Sequence, residues 1–492
     1  MKLISLLKSV REKVEKMKLI FEKSKEGRKG YSLPQSFVYK RDLIPNKFLR
    51  KEEPKLPEVS ELQVVRHYTK LSQRNIGVDT HFYPLGSCTM KYNPKINEEI
   101  SSLAGFTKIH PYQDEKTVQG ALRIIYELGE YLKEISGMDE ITFQPAAGAH
   151  GEITGLLIAK AFHKDKGRFP TNVLVPDTSH GTNPASASIA GYNVVTIRSK
   201  NGNIDLDDLK NKVNENTAVF MVTIPNTLGI FEKDIVKISE IIHSVKGIMY
   251  MDGANLNAIL GMVKPSDFGI DIMHFNLHKT FSTPHGGGGP GASAVGVRGF
   301  LKDFLPLPLV RKREEMFFFD YNIPKSIGKM RSFYCNFNVL VKAYVYLKLL
   351  GKEGIKKVSE LAVLNANYLK EILKKYFNLP YDVLCKHEFV LSMNTFKDKD
   401  VKAIDIAKRL LDYGFHPPTI YFPLIIEEAF MIEPTETEDK ETLDEFIQSM
   451  INIKKEIEEN PSLVKDAPFT TTVGRVDEVK AARNPVLKYE KK

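Results

Sequence analysis

The stretch Asn276-Leu277-His278-Lys279-Thr280-Phe281 decides the fold, read together with Met251-Asp252-Gly253-Ala254-Asn255 upstream. An apolar run from Ile248 to Met251 ends in the aspartate. A second run, from Asp271 to Leu277, ends in His-Lys-Thr, and a Gly-rich segment from His285 to Gly291 follows. Short apolar runs with a helix-sized connection between them predict buried strands of a mostly parallel sheet. Asp252 and Lys279 then stand at successive strand ends, where an open α/β sheet binds its ligands.

The same alternation extends upstream. A helix fits 117–135, with Leu122, Ile125, Leu128 and Leu132 on one side, and another fits Glu152 to His163. Strands fit Ile141–Phe143, Val173–Val175, Val194–Ile197 and Val219–Thr223, and a helix at 233–245 precedes the Ile248 run. After about residue 330 the pattern restarts. Helices fit 338–349, 355–376, 401–413 and 439–458, with strands near 389–394 and 428–433. The expected organisation is an N-terminal helix and extended arm over 1–116, a large α/β domain over 117–330, a smaller α+β domain over 331–465, and a polar tail over 466–492.

Each strand end carries residues with chemical potential. Gln144-Pro-Ala-Ala-Gly-Ala-His-Gly-Glu152 joins a strand to a helix, and its small residues let backbone N–H groups approach an anion. Gly148 and Ala149 are the candidate phosphate cup. His180 follows the next strand and could stack on a flat ring, with His150 as the alternative. Asn226 or Thr227 could hydrogen-bond a phenolic oxygen, Ala254 could pack beneath the ring, and His278 adjoins the lysine. Singly, each is better explained as an ordinary turn or loop residue. In order, at successive strand ends, they describe a pyridoxal phosphate site of the aspartate-aminotransferase fold type. Lys279 would form the Schiff base, and Asp252 would keep the ring nitrogen protonated so that the ring accepts electrons.

The chain has 492 residues, 42% of them hydrophobic and 27% charged, which suits a large globular core. No run is apolar and long enough to predict a transmembrane helix. Glu12 and Glu15, with Lys8, Arg11, Lys13 and Lys16, are unlike a secretory or transit leader, and the reading is cytoplasmic. Cys88, Cys335 and Cys385 form no CxxC pair, so neither a zinc site nor a disulfide framework is expected. Much of the +9 net charge lies in the first 51 residues, without a nucleic-acid-binding motif. Leu3, Leu6, Leu7, Val10, Val14, Met17 and Phe21 predict an amphipathic helix over 2–24. Pro34, Pro45, Pro54 and Pro57 predict an extended arm serving assembly, with no residue of the cofactor site before about Gly148. His81–Lys91 has little periodicity and reads as an ordered loop.

Several motifs resemble one family, the P-protein of the glycine cleavage system in its split, two-subunit form. They are His81–Pro94 (HFYPLGSCTMKYNP), Gln144–Thr154 (QPAAGAHGEIT), Asp177–Ser186 (DTSHGTNPAS), Met251–Asn257 (MDGANLN) and Asn276–Gly291 (NLHKTFSTPHGGGGPG). Pro417–Pro423 (PPTIYFP), Glu433–Glu438 (EPTETE) and Ala482–Leu487 (ARNPVL) continue the match. Phe469 stands where the family pattern has a histidine. The resemblance implies pyridoxal phosphate on Lys279, glycine as substrate, loss of CO2, and transfer of the aminomethyl group to the lipoyl group of the H-protein. It also implies a partner subunit 1, with two copies of each chain. A stand-alone pyridoxal phosphate enzyme would share Asp252 and Lys279 but not His81–Pro94. A structural subunit would need neither.

Overall fold

Seven strands form the central sheet: β1 (Glu140–Thr142), β2 (Asn172–Pro176), β3 (Asn193–Ile197), β4 (Thr217–Thr223), β5 (Ile248–Gly253), β6 (Ile272–Asn276) and β7 (Ser293–Val297). Their order is β1-β7-β6-β5-β4-β2-β3. β3, β2, β4, β5 and β6 pair in parallel, and β7 runs antiparallel to both β6 and β1. The computed structural model describes residues 17–32, 44–52, 54–286 and 291–488.

Every residue of β4, β5 and β6 is buried, as expected where helices cover both faces of a parallel sheet. Alternate residues feed two cores. Phe220, Val222, Met249 and Met251 face one, and Val219, Met221, Ile248 and Tyr250 face the other. Helix α1 (Gln119–Ser136) buries Leu122, Ile125, Leu128 and Leu132, the face read from its periodicity. Helix α2 (Gly148–Asp165) lies close against the sheet. A Cβ at Gly151 would meet Ser293 Oγ at 2.8 Å, and one at Gly155 would meet Tyr250 Cε2 at 2.3 Å.

Strand β7 was not expected from the sequence. Its Ser-Ala-Val-Gly-Val run is short and small because a Cβ at Gly296 would lie 2.8 Å from Met138 Cγ. The hairpin Leu309–Arg313 with Met316–Asp320 was also missed. The two helices expected at 338–349 and 355–376 are present as the two arms of α3 (Phe337–Leu373), broken at Gly351 with φ 59° and ψ −171°. Val339 and Leu340 join the large-sheet core, whereas Leu369 and Leu373 join the core of a second, three-stranded sheet. That sheet comprises β8 (Phe389–Ser392), β9 (Thr419–Ile420) and β10 (Ala429–Ile432), in the order β8-β10-β9 and antiparallel throughout.

All of these elements belong to one compact unit, residues 78–465. Residues 1–77 and 466–492 make up the other. There, Ser60 caps the helix Glu61–Ser72 in a reciprocal box with Gln63. Of the helix expected over 2–24, residues 2–16 lie outside the described residues. Residues 17–19 are not helical, and Ile20–Lys23 forms a single 3-10 turn.

Candidate active site

The carboxyl ends of β4, β5 and β6 open onto a cavity of about 200 Å³. Lys279 and Asp252 both line it, so the two residues that single out the fold share one space. Asp252 is buried and well supplied with donors. Ala254 N–H donates to Oδ1 at 2.9 Å, and Asn183 Nδ2 donates to Oδ2 at 3.0 Å. His274, its register neighbour on β6, places Nε2 3.2 Å from Oδ1. The Tyr250 hydroxyl lies 2.7 Å from His274 Nδ1 and completes a buried chain, Tyr250 to His274 to Asp252. Burial pushes the Asp252 carboxyl up, but His274, Asn183, Lys279 and the Ala254 N–H together outweigh it and hold the group below the usual carboxylate range.

Gly148 and Ala149 also line the cavity, at the start of α2. The residue before them, Ala147, offers no side-chain cap, so the first N–H groups of α2 remain for an anion. A Cβ at Gly148 would stand 2.7 Å from Asn276 Oδ1, so glycine is what admits the turn here. His180 lines the opposite part of the cavity. Its Nδ1 accepts the Thr182 N–H at 3.2 Å, and the Phe422 ring meets it edge-on at 5.4 Å. Glu152 anchors this segment by accepting from the Thr182 and Ser186 hydroxyls, each at 2.7 Å. Burial and the Lys279 charge push the His180 imidazole down, against the pull of Asp252 and Glu152, so at neutral pH the ring is uncharged. Burial, then Lys279 and His285, push His278 down to about 3.

Ala254, Thr227 and His278 line the cavity as well. The Thr227 hydroxyl is engaged, donating to the Thr178 carbonyl. Two other expected residues are not brought in. Asn226 builds its own turn: Nδ2 donates to the Gly202 carbonyl at 2.7 Å, and Oδ1 accepts from Leu228 and Ile230 N–H. His150 does not line the cavity, and its Nδ1 accepts the Ala146 N–H at 3.1 Å. Both hydrogen-bond within their own turns.

The expectation that nothing before Gly148 reaches the site fails. Ser87 and Cys88 line the cavity, and Lys279 Nζ donates to the Ser87 carbonyl at 2.6 Å. The donor set suits pyridoxal phosphate: an amine, a carboxylate with a free lone pair, an uncapped helix start and a neutral aromatic ring. Thr223 Oγ1 and Asn276 Oδ1 are buried at this cavity without a partner among the described residues, as expected of groups that a ligand would satisfy.

Two family models match the chain: glycine cleavage system P-protein over residues 32–313, and the C-terminal domain of glycine dehydrogenase over 358–468. The chain belongs to the glycine cleavage system P-protein family. A probable glycine dehydrogenase (decarboxylating) subunit 2 from Caldanaerobacter subterraneus subsp. tengcongensis is 59% identical over 480 residues, covering 96% of this chain and 99% of the relative. One of the same description from Bacillus velezensis is 57% identical over 478 residues, covering 96% and 97%. The crystal structure of a glycine decarboxylase (P-protein) in inhibitor-bound form superposes with a TM-score of 0.72 at 21% identity, over 84% of this chain and 93% of that one. A cysteine desulfurase from Thermococcus onnurineus NA1 gives 0.60 at 15% identity, over 76% and 95%. These likenesses establish fold type I of the pyridoxal phosphate transferases. No helix among the described residues is long and apolar enough to cross a membrane.

Within this P-protein family member, sequence reasoning missed His274, Asn183, Glu152, Ser87 and Cys88. A histidine inside the apolar run Ile272-Met-His-Phe-Asn276 was a usable signal for the first, since a buried imidazole needs a partner. Glu152 and Asn183 lay inside motifs already singled out. Ser87 and Cys88 also lay inside a quoted motif, His81–Pro94, but nothing in its local spacing ties that loop to the cavity.

Proposed function

We propose that this chain is the catalytic subunit of the P-protein. It decarboxylates glycine with pyridoxal phosphate attached to Lys279, and it passes the aminomethyl group to the lipoyl group of the H-protein. When bound, the cofactor supplies the electron sink for the pair left behind by CO2. The chain's residues do the rest. Asp252 holds a proton at the ring nitrogen by charge, and the Tyr250–His274 chain fixes its orientation. The start of α2, at Gly148 and Ala149, binds the phosphate. His180 and Ala254 hold the ring plane, and Lys279 carries the amine that binds and releases.

The observation that carries this reading is the convergence of Lys279, Asp252 and the uncapped start of α2 on one cavity. The partners follow from the family: a subunit 1, with two copies of each chain, and the lipoylated H-protein. Within 78–465, residues 117–330 serve as the cofactor-binding part and 331–465 as the smaller part. The basic N-terminal arm serves assembly. Two measurements test the reading. Added pyridoxal phosphate should give a visible absorption band, and with subunit 1 and H-protein the protein should exchange labelled bicarbonate into the glycine carboxyl. A band without any exchange would point instead to a stand-alone pyridoxal phosphate enzyme with another substrate.

A further inference from the structure

Ser87 and Thr89 flank Cys88 in the cavity loop, and both take the left-handed conformation, with φ of 67° and 40°. Outside glycine this conformation persists only where the surroundings enforce it. Here two carboxylates enforce it. Glu388 Oε2 accepts the Ser87 N–H at 2.8 Å. Glu433 Oε2 accepts the Thr89 N–H at 3.1 Å, and its Oε1 accepts the Thr89 hydroxyl at 2.5 Å. Asn255 and Asn257 donate to the same pair at 3.4 and 3.3 Å. Both glutamates have zero exposure. Among the described residues neither forms an ion pair with a lysine or arginine, yet the charge of Lys279 acts on both. Burial pushes Glu388 well above the usual carboxylate range and Glu433 up to about 7, and Lys279 draws each back. The main chain between the two clamped residues directs the Ser87 carbonyl at Lys279 Nζ, 2.6 Å away.

We propose that the Ser87 carbonyl, held in place by Glu388 and Glu433, is the resting place of the Lys279 ammonium whenever the amine is free. The inference rests on the proposed function, in which the substrate amine displaces the lysine in every turnover. An ammonium expelled into a buried cavity needs both an acceptor and a countercharge. The carbonyl supplies the first, and the Asp252 carboxylate on the same cavity supplies the second. Ser87 touches the lysine. Glu388 and Glu433 act through the loop, as positioning residues.

The test uses the full chain without cofactor. Acetic anhydride labelling of Lys279 is followed by mass spectrometry across pH, with exposed Lys237 as internal reference. Asp252, His180, His278, His285, Cys88 and His387 also face the lysine and stay unchanged. In the Glu388→Gln/Glu433→Gln double variant the labelling midpoint of Lys279 should fall by about half a pH unit or more, about a threefold faster reaction below the midpoint. The plateau at high pH should stay the same, whereas simple exposure of the site would raise the plateau. Glu232→Gln, a buried carboxylate elsewhere in the same unit, should leave the profile unmoved. If the double variant does not fold, Glu433→Gln alone is read the same way. An unchanged midpoint in a folded variant overturns the proposal. So does a stoichiometric divalent ion in the native protein that the variant loses, since His387, Glu388 and Glu433 would then be a metal site. Failure of the cofactor reading is distinguishable, because it removes the visible band and leaves the labelling profile intact.

Discussion

The cavity has two walls built on different principles. The strand-end wall is assembled from neighbours: Asp252 pairs in register with His274, and Tyr250 is two residues upstream of Asp252 on the same strand. The loop wall is assembled from strangers: Ser87 is fixed by a residue 301 positions away, and Thr89 by one 344 positions away. The first wall inherits its geometry from the sheet. The second exists only after the three-stranded sheet has formed and the carboxylates at its strand ends, Glu388 and Glu433, have met the loop. A site of this kind should therefore respond differently to damage on its two sides.

The largest expected effect lies where the walls meet. Lys279→Ala should abolish the visible band on addition of pyridoxal phosphate and remove all bicarbonate exchange, while circular dichroism stays native. A band that survived would place the covalent link elsewhere. On the strand-end wall, Asp252→Asn should lower exchange by about 10- to 100-fold, the worth of one charge-assisted hydrogen bond at about 1.5–3 kcal/mol. Tyr250→Phe, at the far end of the same chain, should cost less than Asp252→Asn. The opposite order would show that the chain does more than orient the carboxylate.

Legibility in the sequence follows the same division. Strand ends announce themselves because apolar runs stop at polar residues, so Asp252, Lys279, His180 and the Gly148 turn could be placed without coordinates. Asn226, an alternative to Thr227, and His150, an alternative to His180, lie outside the cavity lining. A polar side chain in a turn can serve its own backbone as readily as a ligand, and spacing does not distinguish the two. The motif around Cys88 was legible but its place at the site was not, because the residues that hold its neighbours Ser87 and Thr89 are Glu388 and Glu433, far along the chain. Strand β7 was missed because it is short and Gly296, which packs on Met138, interrupts its two valines.

Smaller effects sharpen the contrast on the structural side. Gly155→Ala places a methyl group against Tyr250, where the contact would be 2.3 Å. Overpacking of this kind should cost about 1–3 kcal/mol in urea denaturation. If the ring moves to make room, activity should fall with stability through His274. The smallest effect belongs to Asp208, far from the cavity. The Arg198 N–H and Lys212 hold its carboxyl down to about 2, against the pull of burial, from an ordinary 3.8. A depressed folded-state value means stability that is present above about 3.8 and lost as pH falls toward 2. Asp208→Asn should therefore flatten the acid limb of the stability profile and leave exchange at neutral pH unaltered. A change in exchange would reveal coupling from the sheet edge to the site.

The three glycines of α2 that face the sheet, Gly148, Gly151 and Gly155, carry no reactive atom. They set a tolerance. Each leaves a gap smaller than a methyl group between the helix and the atoms beneath it, so the position of the helix start is fixed by what those residues lack. Substitutions there would register in a mutational survey, less sharply than changes at Lys279, with nothing in their chemistry to say why. An engineer wishing to enlarge this site for a bulkier amino acid would find the reactive side chains easier to move than these hydrogens.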